Sequence, residues 1–572
     1  MAAQSKLDLV LVWHMHQPDY RDRVSRDHPG EYMLPWVYLH AMKDYADMAA
    51  HLERHPRMRA VVNFVPVLVE QIQDYIEQFA GGNFRDPLLR LLAKPDYANL
   101  SREERRLALE SCFHANHPTM LDPFPGYKRL HGLYLHLAAQ ETSALDYLGS
   151  AFFEDLVTWY HLAWFAESER RREPVLAQMF AKGRGFDHQD RLRLVELIGG
   201  LLKNLLPRFR TLAESGRIEL SATPYSHPLA PLLIDLKSGR DAVPEMSLPA
   251  TEAYPGGRSR TANQIERART VHTKTFGSPP HGMWPAEGAL STALLQIFAN
   301  QGIQWAASSE AVLANSLRRA GDGKLPPRAQ YLYRPYRLAA APGVTTFFRD
   351  ERLSDLIGFE YAKWHGRDAA GHFLAQLEAI RNEAPAGETP LVCVILDGEN
   401  AWEYYPYNGY FFFDALYSAL SDSPSIRVTT FNEYLGRHPQ HYGTLPALVT
   451  GSWVYGTLST WVGDPDKNRA WDLLCAAKQS YDLVMAGSTL SAEARHAAEQ
   501  QLAVCESSDW FWWFGDYNPQ TAVASFDRLF RLNLRRLYEL LNLPPPAKLE
   551  EPLSRGTAAS QAAAAGTMRR AS

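Results

Sequence analysis

The stretch VILDGENAWEYYPYNG, Val394 to Gly409, decides the fold. With Leu391–Cys393 before it, it opens as an apolar run of strand length and turns polar abruptly at Asp397 and Glu399. Rings follow at Trp402, Tyr404, Tyr405, Tyr407 and Tyr410. A short continuous apolar run reads as a strand buried on both faces, the pattern of a parallel sheet. Immediately after it, GYFFFDALYSALSD (Gly409–Asp422) carries apolar residues at helical spacing. The unit is a strand, a polar strand end, and a helix.

The same unit recurs on both sides. Apolar runs stand at Asp8–Trp13, Arg59–Phe64, Arg217–Ser221, His281–Trp284, Gln304–Ala307, Val344–Phe348 and Arg427–Thr430, besides Leu391–Leu396. Helical patterns follow most of them, such as ALSTALLQIFANQG (Ala289–Gly302), which ends on a glycine. This alternation predicts an α/β chain with a parallel sheet closed into a barrel of seven or eight strands. No Gly-rich phosphate fingerprint follows the first strand, which argues against a dinucleotide-binding fold. Residues 81–216 separate the second and third strands and read as a helical insertion, with DRLRLVELIGGLLKNLLPRFRTLAESG amphipathic throughout. The barrel is expected over 1–440. Long helical patterns over 441–543 predict a helical C-terminal domain completing the cleft. Residues 544–572 are Ala/Ser-rich and expected to be disordered.

The bulk numbers exclude other classes. A net charge of −5 argues against a nucleic-acid partner, which calls for a basic excess. The four cysteines form no CxxC pair, so no zinc knuckle or disulfide framework is indicated. The N-terminal apolar run is short, interrupted by Asp8 and closed by histidines, so it reads as a strand and not as a signal peptide. No stretch approaches a membrane span, and the cytoplasm is the expected location.

In a parallel barrel the chemistry sits at the C-terminal strand ends. The first strand ends in HMHQPDY, with His14, His16 and Gln17. The third ends in TPYSHP, with Tyr225 and His227. The fourth ends in WPAEG, with Glu287. The sixth ends in RDERLSD, with Arg349 and Asp350, and the seventh in DGEN, with Asp397 and Glu399. Two chemistries fit. Carboxylates from different strands, such as Glu287 and Asp397, can flank a glycosidic bond. Alternatively, His14-x-His16 can hold a metal for a hydrolase, with His227 and Asp397 as further ligands. SDWFWWFGDYNP (Ser508–Pro519) reads as core packing against the C-terminal helices, with Asp509 and Asp516 the carboxylates able to touch a sugar.

Five segments then match a family in order: HMHQP (His14–Pro18), ELSATPYSHPLAPLL (Glu219–Leu233), GMWPAEGALS (Gly282–Ser291), VILDGENAWEYYP (Val394–Pro406) and GSWVYGTLSTWVGDPDKNRAWDLL (Gly451–Leu474). The chain resembles glycoside hydrolase family 57, the α-amylase and 4-α-glucanotransferase family, and is most similar to its amylopullulanase-like branch. The resemblance spans Leu7 to Leu541. It implies a distorted (β/α)7 barrel with a helical C-terminal domain and a retaining reaction on α-glucans; no cofactor is expected, and the ligand set around His14 and His16 is too incomplete for a catalytic metal. It assigns the nucleophile to Glu287 and the acid/base to Asp397. It places His14, His16, Gln17, Trp284, Trp453 and Trp461 along the sugar; the strand-end residues His227, Arg349, Asp350 and Glu399, with Trp402 and Asp464, are further candidates for sugar contact. The family's branching enzymes carry a different sequence around the acid/base than DGENAWEYY. The expected activity is therefore hydrolysis of α-1,4-glucans, with α-1,6 cleavage left open. The alternatives are 4-α-glucanotransfer on the same scaffold and a metal-dependent amidase or deacetylase.

Overall fold

The computed structural model describes residues 6–22, 30–140, 142–385, 387–487 and 490–557. The barrel strands are β1 (Leu7–Met15), β2 (Ala60–Phe64), β3 (Ile218–Ala222), β4 (Gly282–Met283), β5 (Trp305–Ser309), β6 (Ala341–Arg349) and β7 (Leu391–Asp397). They pair in parallel in the order β7-β1-β2-β3-β4-β5-β6. The ring closes where Arg349 of β6 meets Cys393 of β7 and the Asp350 N–H donates to the Cys393 carbonyl at 2.8 Å. The barrel therefore has seven strands. The eighth expected strand, β8 (Ile426–Thr429), forms but stays outside the closure. It pairs with the first half of β1, Leu7–Val10, while β2 takes the second half, Val12–Met15.

Side-chain alternation explains both the stability of the barrel and its chemistry. Successive strand residues face opposite sides. On β1, Leu7, Leu9, Leu11, Trp13 and Met15 belong to the core outside the barrel, while Val10 and Val12 fill its lumen. The lumen is completed by Val61, Trp305, Ala307, Phe347, Leu391, Cys393 and Ile395. Continuing each lumen-facing row toward the C-terminal end gives His14 after Val12, Asn63 after Val61, Arg349 after Phe347 and Asp397 after Ile395. The barrel is apolar below and polar at its mouth.

Between β2 and β3 the chain is helical, from Pro66–Gly81 to His188–Glu214. The last of these helices shows how its sequence folds. Asp187 opens it with a capping box on Asp190. Leu194, Ile198, Leu202, Leu205, Phe209 and Leu212 then recur every three or four residues and are buried. Gly216, at φ 68°, lets the chain turn into β3. Near the C-terminus, helices Pro465–Ala486, Ala492–Cys505 and Gln520–Leu540 surround the short helix Asp509–Trp513. Its rings pack inward, Phe511 stacked on Trp471 at 4.2 Å and Trp513 on Phe526 at 4.5 Å.

The disorder expected from residue 544 is not found over 544–557. Leu549 is buried, Ser554 Oγ accepts from the Gly515 N–H at 2.9 Å, and the Gln520 N–H donates to the Thr557 carbonyl at 3.0 Å. Residues 558–572 lie outside the described residues. Among the described residues no helix is long and apolar enough to cross a membrane.

Candidate active site

Strand register builds the first part of the site. His14 on β1 is paired with Asp397 on β7 at one side and with Asn63 on β2 at the other, and Asn63 with Ser221 on β3. Equal register and equal parity put these side chains in one layer across the barrel mouth. They bond accordingly: Asn63 Nδ2 donates to Ser221 Oγ at 2.9 Å, and Asn63 Oδ1 takes His14 Nδ1 at 2.7 Å. His14 Nε2 lies 3.2 Å from His227 Nε2. The next residue after Asp397 must be small, because a Cβ on Gly398 would stand 2.0 Å from Met15 Sδ.

Glu287 comes from the turn after β4 and is held in a conformation that L-residues seldom adopt, φ 59°. Long-range backbone pairing holds it there. The Trp453 N–H donates to the Glu287 carbonyl at 2.9 Å, and Leu290 bridges Gly451. Its carboxylate contacts one group at each oxygen: Trp453 Nε1–H at 3.0 Å on Oε2, and the Ser508 hydroxyl at 3.1 Å on Oε1. His227 is likewise left-handed, at φ 63°. The Ser508 N–H donates to its carbonyl at 2.9 Å while Pro228 bridges Ser507. Two segments distant in sequence, 451–453 and 507–509, thus complete the barrel mouth.

Burial dominates the electrostatics. It pushes Glu287 up to about 8, reinforced by the negative charges of Asp509 and Asp397 and opposed by the bonds from Trp453 and Ser508. It pushes Asp397 up to about 6, against its bond from Asn400 and the nearby His16 and Arg349. Glu399 is raised well above the usual range by burial and by Asp397. Burial and His16 hold His14 down to about 3, and burial with both neighbouring imidazoles holds His227 well below its ordinary value. Two coupled carboxyl groups with raised proton affinity are equipment for acid–base or nucleophilic work on a bond between them.

The structure brings together His14, His16, His227, Trp284, Glu287, Arg349, Asp397 and Trp453. Trp284 and Trp453 meet edge-on at 5.2 Å, Trp284 lies beside His14, and the Arg349 guanidinium is 5.6 Å from the Trp453 ring. His16 Nε2 reaches both oxygens of Asp509, at 2.9 and 3.0 Å. Gln17 and Glu399 form a neighbouring pair at 3.4 Å. Among the described residues, His16 Nδ1, Trp284 Nε1 and Glu399 Oε2 are buried without a hydrogen-bond partner.

Other expected residues have local work. Asp350 caps helix Glu351–Asp355 through the Leu353 N–H and is held by Arg328 and Tyr333. Trp402 is buried against Trp13 and Phe413, and its Nε1–H donates to the Gly398 carbonyl at 2.8 Å. It shapes the loop after β7 and presents no face to a groove. Asp464 caps helix Pro465–Ala486. Trp461 is wholly buried, with its carbonyl taken by Trp471. Asn63 and Ser508 are site residues that the sequence reading did not select. Alternation from Val61 was a signal for Asn63; nothing local marked Ser508.

His16, His227 and Asp509 place one ligand-type atom each within 4.8 Å of one another, the only such group found among the described residues. The imidazoles of His16 and His227 are stacked at 3.8 Å and 20°, so their ring planes are nearly parallel. The nitrogens His16 Nε2, His227 Nδ1 and His227 Nε2 are already engaged by Asp509, Ser508 and His14.

The model of glycosyl hydrolase family 57 matches residues 10–445. No curated protein matches the chain. Solved structures share its fold. A family 57 branching enzyme from Thermococcus kodakaraensis is 15% identical with a TM-score of 0.57, over 94% of this chain and 90% of that one. The α-amylase AmyC from Thermotoga maritima is 15% identical with a TM-score of 0.56, over 94% and 93%. A 4-α-glucanotransferase from Thermococcus litoralis is 13% identical with a TM-score of 0.51, over 93% and 60%.

Proposed function

The chain belongs to glycosyl hydrolase family 57, and on that premise we propose that it is a retaining hydrolase of α-1,4-glucans, with Glu287 as nucleophile and Asp397 as acid/base. Asp397 gives its proton to the glycosidic oxygen as the Glu287 carboxylate attacks the anomeric carbon. The resulting glycosyl ester is cleaved by water, from which Asp397 takes a proton back. The observation that carries this reading is the pair itself. Two carboxyl groups from separate strand ends, electrostatically coupled and both raised in proton affinity, stand at one barrel mouth. Asp397, half-buried and near 6, is suited to release and regain a proton around neutrality. Glu287 lies beneath the Trp453 indole, whose N–H favours its charged form. The half-buried Trp453 indole, packed edge-on against the buried Trp284, offers an apolar face to the C–H side of a glucose ring. The unpartnered His16, Trp284 and Glu399 atoms suit a ligand rich in hydroxyl groups.

The same ester intermediate serves hydrolysis and transfer; the acceptor decides between them. Product analysis on maltooligosaccharides, amylose and pullulan tests the reading. Shorter products alone support hydrolysis. Longer oligomers make it a 4-α-glucanotransferase, new α-1,6 links make it a branching enzyme like the Thermococcus kodakaraensis neighbour, and maltotriose from pullulan adds α-1,6 cleavage. Inertness of the folded protein toward every α-glucan overturns the reading.

A further inference from the structure

Setting aside Asp322, Asn408 and Asn542, whose side chains tolerate it, four non-glycine residues among those described hold a left-handed backbone: His227, Glu287, Tyr407 and Tyr455. Side chains of this size rarely stand there, and such strain gathers where a site has to be shaped. His227 and Glu287 belong to the barrel mouth. Tyr407 turns its ring onto Phe411, with centroids 5.3 Å apart. Tyr455 stands two residues after Trp453, the donor to Glu287, and is 65% exposed.

The turn that presents Tyr455 is fastened to the rim of the mouth. The hydroxyl of Ser309, the last residue of β5, donates to the Ser452 carbonyl at 3.0 Å. The Ser452 hydroxyl accepts from the Val454 N–H at 3.1 Å and donates to the Thr457 carbonyl at 2.6 Å. The Thr457 N–H donates to the Val454 carbonyl at 3.3 Å, closing a turn with Tyr455 (φ 59°) and Gly456 (φ 67°) at its centre. Two left-handed central residues make a type I′ turn, whose first central position favours asparagine, aspartate or glycine. Gly456 seats the turn on the helix Glu310–Ala320, which follows β5. A Cβ on Gly456 would stand 2.7 Å from Ala311 Cβ, and its carbonyl accepts from the Asn315 amide at 3.3 Å. Folding gives no reason for a ring at 455. Asparagine would relieve the backbone, and a side chain so exposed buries little apolar surface.

We propose that Tyr455 sets the chain-length preference of the site, its exposed ring carrying a glucose unit beyond the two whose link is cut. This rests on the α-glucan reading given above. Two residues span at most about 7 Å of chain, so the ring starts from a point close to Trp453. Trp453 serves the glucose beside Glu287. The tyrosine, one step outward, offers a second apolar face to the C–H side of a further glucose and a phenol to its hydroxyl groups. The turn holds that face in place before the sugar arrives, so less ordering accompanies binding. The hydroxyls of half-buried Thr457 and exposed Ser459, bonded to each other at 2.8 Å, extend the polar rim beside it.

The test uses the full chain in a Glu287→Gln background, which binds sugar without turning it over, and calorimetric titration with maltose and maltohexaose. Maltose fills only the two positions at the cut link, and maltohexaose reaches past them. Tyr455→Asn should weaken maltohexaose about tenfold, narrow its advantage over maltose by the same factor, and melt no lower than its parent. Tyr455→Phe should keep the affinity. Maltose and maltohexaose weakened alike, Tyr455→Phe as weak as Tyr455→Asn, or a Tyr455→Asn protein that melts well below its parent would overturn the proposal. Unaltered maltohexaose binding in Tyr455→Asn removes this inference alone. A folded parent that binds neither sugar removes the functional reading and this inference with it.

Discussion

Glu287→Gln makes the enzyme inactive and more stable, and the size of the gain follows from the site. The Glu287 carboxyl rises from its ordinary 4.5 to about 8 on folding. A raised folded-state value means that the folded protein binds a proton the unfolded chain releases. Its stabilising contribution is complete below about 4.5 and is lost as the pH rises to about 8. At pH 7 the folded site still holds the proton, against an unfavourable uptake of about 3 kcal/mol. The amide of glutamine reproduces the neutral carboxyl, accepting from Trp453 and donating to Ser508, without that uptake. The variant should gain about 3 kcal/mol at pH 7 and under 1 kcal/mol at about pH 5. Over 572 residues with an unfolding entropy of about 2.1 cal/mol/K each, this is a rise of about 3 °C at pH 7. Calorimetric melts at both pH values read it directly. A variant that melts no higher than the parent at pH 7, or whose advantage grows toward pH 5, refutes the buried neutral carboxyl.

Glu287, near 8, must be charged and Asp397, near 6, protonated, so kcat/KM on oligosaccharides should rise about tenfold per pH unit up to about 6, stay level to about 8 and fall above it. Activated aryl glucosides should lack that limb, and Asp397→Ala should process them with azide to the α-azide. Trp453→Phe keeps the ring against Trp284 but removes the N–H on Glu287; kcat/KM should drop about 100-fold with little change in melting temperature, and equal losses in both would make Trp453 a packing residue. Because His16 Nε2 and both nitrogens of His227 are already hydrogen-bonded within the protein, dialysis against a strong chelator should leave turnover intact; a loss reversed by zinc without unfolding would contradict this reading.

Much of the barrel was legible because its strands are short apolar runs with polar ends, and each expected run became a strand. Alternation carried further, since Val10, Val12 and His14, or Cys393, Ile395 and Asp397, are single rows on one face. Closure was not legible. Whether β8 enters the ring depends on how the length of β1 is shared between two neighbours, and hydrophobicity does not encode that. Asp350 and Asp464 are polar beside motifs, a pattern that ligand-facing groups and helix caps share. Each precedes a helical run, the helix-start signature, and Asp464 also precedes a proline at the first helical position. Trp402 follows the carboxylates in sequence, but a ring that large found a core site against Trp13 and Phe413. Ser508 reaches His227 and Glu287 through backbone pairing across more than 200 residues, which leaves no local trace.

The most direct test of the Glu287–Asp397 pair is the anomeric configuration of the first product. Proton NMR in the first moments of maltooligosaccharide cleavage, before mutarotation, should show the α-anomer, as two displacements at one carbon require. The β-anomer appearing first would mean a single displacement by water, and Glu287 would then be a base and not a nucleophile.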